Sequence, residues 1–212
     1  WSSDVCSSDL GLRAAIMRRI ETEIPTMEDL GLPVDLLRKW LIRPSGLILF
    51  TGATGTGKST TMAACLNWLN HHHHYHIITI EDPVEYLFAD ELSHFTQREV
   101  GPDTPSFAEG LRRALRQTPD VILLGEIRDS LSATTALQAA ETGHLVLASL
   151  HSSSATETVE RLNRIFPSNE REDASALLSA QLVGIFTQML LPGIERKLVL
   201  VAEHFENQAA TR

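Results

Sequence analysis

The sequence is poor in several features that would define a class of protein. It has only two cysteines in 212 residues, Cys6 and Cys65, too few for a disulfide framework or a four-cysteine zinc site. Its 18 basic residues against 27 acids give a net charge of −9, which argues against nucleic acid as the main partner. No apolar run is long enough for a membrane-spanning helix, and no secretory signal is visible. These absences favour a globular protein of a reducing compartment, the cytoplasm.

The length and an apolar fraction of 43% fit one α/β domain with a sizeable core. Residues 1–10 are rich in Ser and Asp, lack an initiating Met and show no periodicity that joins them to the rest. We interpret them as a leader that is not native to the protein. Residues 11–33 are predicted to be a linker from a missing N-terminal domain, and residues 34–212 the folded domain, truncated at its C-terminus.

One stretch of nine residues carries the strongest motif. It follows the apolar run 47–50 and precedes a predicted helix over 61–70. In this order of strand, loop and helix, G-x-x-x-x-G-K-[ST] is a phosphate-binding loop, whose backbone N–H groups and lysine hold phosphates while its hydroxyl can ligate Mg²⁺. We therefore expect a nucleoside triphosphate here, and a glycine turn that matches by chance is the alternative. The residues are Gly52, Ala53, Thr54, Gly55, Thr56, Gly57, Lys58, Ser59 and Thr60.

Three further predicted strands end in polar side chains. The strands are 77–80, 121–124 and 145–150, and the groups beyond their ends are Glu81, Asp82 and Glu85, then Glu126, then His151. Ligands of open α/β sheets bind at the carboxyl ends of strands, so these groups are candidates for chemistry beside the triphosphate. Glu126 stands where an acid would hold Mg²⁺ or polarise the attacking water. The alternatives are a charged turn for the acidic cluster and structural roles for Glu126 and His151.

The rest of the chain alternates between predicted helices and strands. Helices are predicted over 34–41, 107–117, 130–142, 155–166 and 171–190, with a strand or hairpin over 92–100 and a last strand over 198–202. The spacing of Ser106 and Glu109, and of Ser154 and Glu157, is that of a capping box. The histidine-rich tract 71–76 is interpreted as a solvated helix-to-strand junction, with metal binding as the alternative.

Four blocks stand together in the order GATGTGKST, ITIEDPVEY, PDVILLGEIRD and TGHLVLASLHSSSA. Together they resemble the secretion ATPases of type II secretion and type IV pili, over roughly residues 13 to 205. The acidic block resembles the Asp box of that family, GEIRD its atypical Walker B motif, and the block at His151 its His box. Residues 95–100 and the linker IPTMEDLGLP are most similar to the twitching-motility retraction ATPases.

The resemblance implies a RecA-like P-loop NTPase core, an α/β fold with a mostly parallel central sheet flanked by helices. It also implies ATP hydrolysis with Mg²⁺ as cofactor. By matching motifs, Lys58 and Ser59 would bind phosphate and Mg²⁺, and Glu126 would coordinate Mg²⁺ or its water. Glu85, more than Glu81, would activate the attacking water.

The same resemblance implies an assembly. His151 would couple the state of the γ-phosphate to domain movement in a homo-hexamer whose sites are completed by arginines. Arg98, Arg116 and Arg161 are the candidates in this sequence. The motor would lie at the cytoplasmic face of the inner membrane, peripheral to the bilayer, and act on a platform protein of a pilus or secretion machine. It would have no nucleic-acid partner.

Two departures from the family pattern bear on whether the motor would retract or extend a pilus. Assembly-type relatives usually carry a four-cysteine zinc site, whereas this chain has no cysteine after Cys65, which favours retraction over extension. The AIRxGLL-like motif of the retraction type is absent from the sequence. We expect a pilus-retraction ATPase; a pilus-assembly or secretion ATPase, or a regulatory subunit that binds ATP without hydrolysis, are the alternatives. A DNA-translocating motor is a third alternative, which the acidic balance opposes.

Overall fold

The computed structural model describes residues 2–7, 13–18, 20, 22–194 and 198–207. Nine strands occur in this part of the chain: β1 Ser2–Ser7, β2 Arg13–Arg18, β3 Gly46–Thr51, β4 His76–Glu81, β5 His94–Glu99, β6 Val121–Leu124, β7 Leu145–Leu150, β8 Leu182–Pro192 and β9 Leu198–Glu206. Seven of them form one sheet in the order β5-β4-β6-β7-β3-β8-β9. All neighbours in this sheet are parallel except β8 and β9. The predicted mostly parallel sheet is confirmed.

Helices cover both faces of this sheet. They are α1 Val34–Leu41, α2 Lys58–His72, α3 Phe107–Ala114, α4 Ser130–Glu141, α5 Ala155–Ile165 and α6 Arg171–Gln181, with a short 3₁₀ turn at Leu115–Gln117 after α3. Leu47 and Leu49 of β3 face a core cluster with α3 to α6, whereas Ile48 and Phe50 face a second cluster with α1 and α2. Since successive side chains of a strand alternate between faces, a central strand covered on both sides is apolar throughout.

The predicted helix starts are confirmed by their caps. Ser106 Oγ accepts a hydrogen bond from the Glu109 N–H at 3.2 Å, and Ser154 Oγ accepts one from the Glu157 N–H at 3.1 Å. Each serine thereby satisfies one of the N–H groups that a helix N-terminus leaves without an intrahelical partner.

One predicted element differs from the structure. The long helix over 171–190 is wrong: the helix ends at Gln181, and residues from Leu182 onward form β8 between β3 and β9. The segment 183–187 is rich in β-branched and aromatic residues, a composition that favours a buried strand. A short, wholly apolar run has no periodicity that separates strand from helix. Of the two alternatives predicted for 92–100, a strand or a hairpin, the strand is confirmed: it is β5, which pairs in parallel with β4.

The N-terminal segments pair with each other. β1 and β2 form a separate two-stranded antiparallel sheet, and residues 1, 8–12, 19 and 21 of the predicted leader and linker lie outside the described residues. Within the predicted linker, Met27 and Leu32 are buried in the cluster that contains Trp40. None of the described helices has both the length and the apolar character that crossing a membrane requires.

Candidate functional site

The carboxyl ends of β3, β4, β6 and β7 open onto one cleft of about 580 Å³. All four predicted catalytic residues lie at strand ends beside it: Glu81, Glu85, Glu126 and His151. Six of the nine loop residues line it as well, namely Thr54, Gly55, Gly57, Lys58, Ser59 and Thr60. The structure therefore brings the sequence motifs together in space, as the strand-end rule predicts.

The phosphate loop joins β3 to α2 through three glycines with positive φ. The φ angles are 145° at Gly52, 80° at Gly55 and 86° at Gly57, and side chains other than glycine rarely adopt such angles. Gly52 also has no space for a side chain, because a Cβ there would overlap the carbonyl oxygen of Gln188. The helix α2 begins at Lys58 directly after this turn, so the N–H groups that its first turn leaves without intrahelical partners lie beside the cleft that Lys58, Ser59 and Thr60 line.

The Lys58 side chain is buried inside this loop. Its Nζ donates hydrogen bonds to the carbonyl oxygens of Gly52 at 2.8 Å and Ala53 at 2.9 Å, and lies 3.4 Å from His151 Nδ1. Burial lowers the pKa of Lys58, and the nearby charges of Glu126 and Glu85 oppose that shift. The loop thus holds a cation where two carboxylates of the neighbouring strand ends face it.

Glu126 is held on both carboxylate oxygens. Oε2 accepts a hydrogen bond from Arg128 Nε at 2.7 Å, and Oε1 lies 3.3 Å from His151 Nε2. Arg128 also donates from Nη1 to Asp82 Oδ2 at 2.8 Å, and its guanidinium lies over the Phe107 ring. The hydrogen bond to Glu126 is the main reason why the pKa of Arg128 is raised. One arginine therefore bridges the acidic ends of β4 and β6.

The two remaining acids of the β4 end differ in environment. Glu81 is buried and accepts hydrogen bonds from Thr79 Oγ1 at 2.6 Å and from the Glu85 N–H at 3.5 Å. Burial raises the pKa of Glu81, which its hydrogen bonds with Thr79 and others oppose. Glu85 lines the cleft and remains partly exposed. Glu81 thus supports the acidic turn, whereas Glu85 can reach a molecule in the cleft.

The oxygen groups of the cleft match what Mg²⁺ accepts. Ser59 and Glu126 both line it and offer a hydroxyl and a carboxylate, the hard oxygen donors that Mg²⁺ prefers. No cluster of three or more His, Cys, Asp or Glu suited to a metal occurs in the described part of the chain.

The histidine tract lies at the far end of α2, away from the phosphate loop. Nδ1 of His71 lies 2.8 Å from the Asn67 carbonyl oxygen, and Nδ1 of His72 lies 2.7 Å from that of Trp68. The His73 ring stacks on Tyr75. These contacts place the tract at the helix-to-strand junction.

The three candidate arginines lie outside the cleft lining. Arg98 is on β5, in register with Ile80 of β4, and Arg116 is exposed in the 3₁₀ turn after α3. Arg161 on α5 donates from Nη1 to the carbonyl oxygen of His151 at 2.7 Å. Within this single chain, none of the three arginines therefore reaches the position that a phosphate in the loop would occupy.

Several supporting side chains were not predicted from the sequence. Tyr86 places its hydroxyl 3.0 Å from Thr60 Oγ1, and Gln97 both donates to the Tyr86 carbonyl and accepts from the Phe88 N–H. Arg128 could have been noticed, because it stands two residues beyond Glu126 beside an acidic cluster. The β5 residues that contact the acidic turn could not have been predicted, because these contacts depend on how β4 and β5 pair.

A sequence model of the family described as Type II/IV secretion system protein matches residues 6–208 of this chain. The chain belongs to that family. This confirms the resemblance inferred from the four motifs.

The curated relatives include type IV pilus proteins. The type IV pilus ATPase PilU of Pseudomonas aeruginosa strain PAO1 is 46% identical over 177 residues, which are 84% of this chain and 46% of that protein. The type IV pilus retraction ATPase PilT of the same strain is 44% identical over 180 residues, 85% of this chain and 52% of that protein. YggR of Escherichia coli strain K12 is 50% identical over 82% of this chain and 53% of its own. The chain spans about half the length of these relatives.

Solved structures agree with the family. The crystal structure of the pilus retraction motor PilT with bound ADP has a TM-score of 0.92 and 48% identity, and the match covers 99% of this chain and 60% of that one. The ATPase DotB of Legionella pneumophila has a TM-score of 0.87 and 30% identity over 97% of this chain and 57% of its own. The fold predicted from the motifs is therefore the fold of these ATPases.

Proposed function

We propose that this domain binds ATP and hydrolyses it to ADP and phosphate in an Mg²⁺-dependent reaction. The observation that carries the proposal is the convergence of the phosphate loop, Lys58, Glu126 and Glu85 on one cleft. Phosphoryl transfer depends mainly on positioning and electrostatic stabilisation, and both are supplied by such a set of groups. The bound ADP of the structural neighbour PilT supports the nature of the nucleotide.

Nucleotide phosphates would be held by the loop and by Lys58. Positive φ angles at Gly55 and Gly57 allow successive N–H groups to turn toward the cleft, and the N-terminus of α2 adds the positive end of its dipole. Lys58 Nζ has three N–H donors, and a phosphate oxygen can compete with the Gly52 and Ala53 carbonyls for them. The burial of this cation strengthens its interaction with phosphate.

Mg²⁺ binding and proton transfer would be the roles of Ser59, Glu126 and Glu85. Ser59 and Glu126 would hold Mg²⁺, which when bound neutralises charge on the phosphate oxygens. Arg128 and His151 hold the Glu126 carboxylate in one orientation through contacts of 2.7 and 3.3 Å. Glu85 would take the proton from the attacking water, because it is the partly exposed acid of the β4 end.

His151 would report the occupancy of the loop to the rest of the domain. Its ring lies between Lys58 and Glu126, within 3.4 Å of both. Its carbonyl oxygen accepts from Arg161, so a shift at His151 is passed directly to α5. Movement of α5 is therefore the first consequence that we expect from a change at the phosphate end of the cleft.

We propose that the whole protein is a homo-hexameric motor for type IV pilus retraction in twitching motility. The names of the relatives PilT, PilU and the twitching motility protein of Neisseria gonorrhoeae support this role. The motor would work on a membrane platform protein at the cytoplasmic face of the inner membrane, without a nucleic-acid partner. Arg98, Arg116 or Arg161 would complete a site across a subunit boundary.

A pilus-assembly or secretion ATPase is the second candidate. Type II secretion system protein E of Dickeya dadantii is 47% identical over 150 residues, which are 70% of this chain and 28% of that protein. The higher coverage of PilT and PilU favours retraction. Measured ATP hydrolysis would distinguish both candidates from a regulatory subunit that binds ATP without hydrolysing it.

The direct test replaces Glu126 with Gln and measures nucleotide affinity and phosphate release separately. We expect Glu126→Gln to retain ADP affinity and to lower kcat by about a hundredfold or more, because the carboxylate acts on the transition state. Glu141→Gln, an exposed acid at the end of α4, is the matched control and should leave both quantities unchanged. Undiminished turnover by Glu126→Gln would show that the acid is assigned wrongly.

A further inference from the structure

A buried amide on β8 contacts the phosphate loop from behind. Gln188 is only 2% exposed, and its Nε2 donates to the carbonyl oxygen of Thr56 at 2.7 Å. Its Oε1 is buried and, among the described residues, has no hydrogen-bond partner. The side chain lies outside the cleft lining, so it would act on a nucleotide only through the loop.

Strand β8 forms the floor of this loop over two residues. The hydroxyls of Thr187 and Thr51 are 2.8 Å apart in the core. One residue beyond each of these threonines, the Gln188 carbonyl oxygen occupies the space where Gly52 would carry a Cβ. A Cβ on Gly57 would lie 3.3 Å from Gln188 Nε2. Both Gly52 and Gly57, at the two ends of the loop, therefore pack closely against Gln188.

We propose that Gln188 is a positioning residue for nucleotide binding, which fixes the Thr56–Gly57 peptide so that the Gly57 N–H faces the phosphate site. This inference rests on the proposed function. A trans peptide is planar and its C=O and N–H point in opposite directions. Holding the Thr56 carbonyl toward β8 therefore directs the Gly57 N–H toward the cleft, which Gly57 lines.

The constraint has to come from outside the loop. Gly57 has a φ of 86° and no side chain, so its own conformational preferences do little to prevent the preceding peptide from rotating. The position also carries an amide although its Oε1 is buried and finds no hydrogen-bond partner in the described part of the chain. A methionine would fill a similar volume without burying that acceptor. The proposed role of Gln188 therefore depends on its Nε2 donor and not on its Oε1 acceptor.

The test compares Gln188→Met and Gln188→Glu with the unchanged chain by calorimetric titration of ADP and of Mg²⁺-ATP. Loss of one buried donor should weaken the ADP affinity of Gln188→Met about five- to tenfold and raise KM in parallel, while kcat changes less than twofold. A glutamate donates to the Thr56 carbonyl only when protonated. The affinity of Gln188→Glu relative to the unchanged chain should therefore recover as the pH falls from about 8.5 to about 5.5.

Gln138→Met on the exposed face of α4 is the matched control and should leave ADP affinity unchanged. Thermal unfolding of each variant confirms that the folded chain is being titrated. A folded Gln188→Met that binds ADP as tightly as the unchanged chain, or a Gln188→Glu deficit that does not vary with pH, overturns the positioning role alone. Absence of ADP and ATP binding in the unchanged chain would instead overturn the proposed function together with it.

Discussion

Arg128 is the residue that joins the acidic ends of two adjacent strands. It contacts Glu126 at 2.7 Å and Asp82 at 2.8 Å, while about half of its side chain is exposed to solvent. Exposed ion pairs contribute little to stability, so the value of this bridge lies in the orientation that it gives to Glu126. The hydrogen bond from Arg128 to Oε2 limits the rotation of the Glu126 carboxylate, which lines the cleft.

Arg128→Gln should therefore lower kcat by about tenfold with little change in ADP affinity or stability, because in the proposed mechanism a misplaced Glu126 carboxylate mainly affects the transition state. Steady-state phosphate release and calorimetric ADP titration measure the two effects. Arg128→Lys keeps the charge but not the two-sided geometry and should be intermediate. Arg112→Gln on the exposed face of α3 is the control, and equal kcat in all four proteins would contradict the orienting role.

Glu81 gives a prediction about stability and pH. Burial raises its folded-state pKa above the ordinary value of 4.5, so the folded chain holds this proton more tightly than the unfolded chain. Its contribution to stability therefore falls as the pH rises from about 4.5 through the raised folded pKa. The free energy of unfolding of Glu81→Gln, relative to the unchanged chain, should rise over the same interval. Denaturant titrations at several pH values measure it, and a pH-independent difference would contradict this account.

At the scale of residues, the sequence predicts those site residues that can be identified from their neighbours along the chain. The phosphate loop, Glu126 and His151 were predicted because each follows a recognisable strand. The contacts of Gln188 with Thr56 and of Arg128 with Asp82 join residues 132 and 46 positions apart. Such pairs depend on the strand order and on the paths of the loops, which local spacing does not encode.

At the scale of elements, β8 is the strand of the seven-stranded sheet that the sequence did not predict. Leu178, Leu182, Ile185 and Met189 follow a helical spacing, yet only Leu178 lies in a helix. The run from Leu182 to Phe186 is buried, and Gly184 near its middle weakens a helix by about 1 kcal/mol relative to alanine. Its pairing with β3 and β9 decides the structure, and the buried sheet overrides the local pattern.

Gly184 is required for β8 to pack against α1. A Cβ at this position would overlap the six-membered ring of Trp40, which is fully buried, and would lie 2.9 Å from the Phe205 carbonyl oxygen. Gly184→Ala should therefore lower the free energy of unfolding by about 1–3 kcal/mol, the usual cost of overpacking a core. Denaturant unfolding measures the change.

The double variant Gly184→Ala with Trp40→Phe supplies the control for this prediction. Phenylalanine removes the ring atoms that the new Cβ would meet, so the cost of Gly184→Ala should be smaller in that background. An equal cost in both backgrounds would show that the overlap with Trp40 is not the cause.

At the scale of the whole molecule, strand order explains why motifs far apart in sequence share a cleft. The four strands that open onto it, in the spatial order β4-β6-β7-β3, are neighbours in the sheet and run parallel, so their carboxyl ends lie along one edge. This arrangement could be predicted from the sequence, because strands that alternate with helices form parallel sheets. The candidate arginines are the exception, since all three lie outside the cleft.

The measurement that tests the account most directly is Mg²⁺-dependent ATP hydrolysis by this chain as a function of protein concentration, with Lys58→Ala as the inactive control. The account predicts specific activity that rises with concentration, because the candidate arginines Arg98, Arg116 and Arg161, which lie outside the cleft of their own chain, would be supplied by another chain. Bound ATP with no turnover at any concentration, in the 212-residue chain and in a longer one, would contradict the hydrolytic function and favour a regulatory subunit.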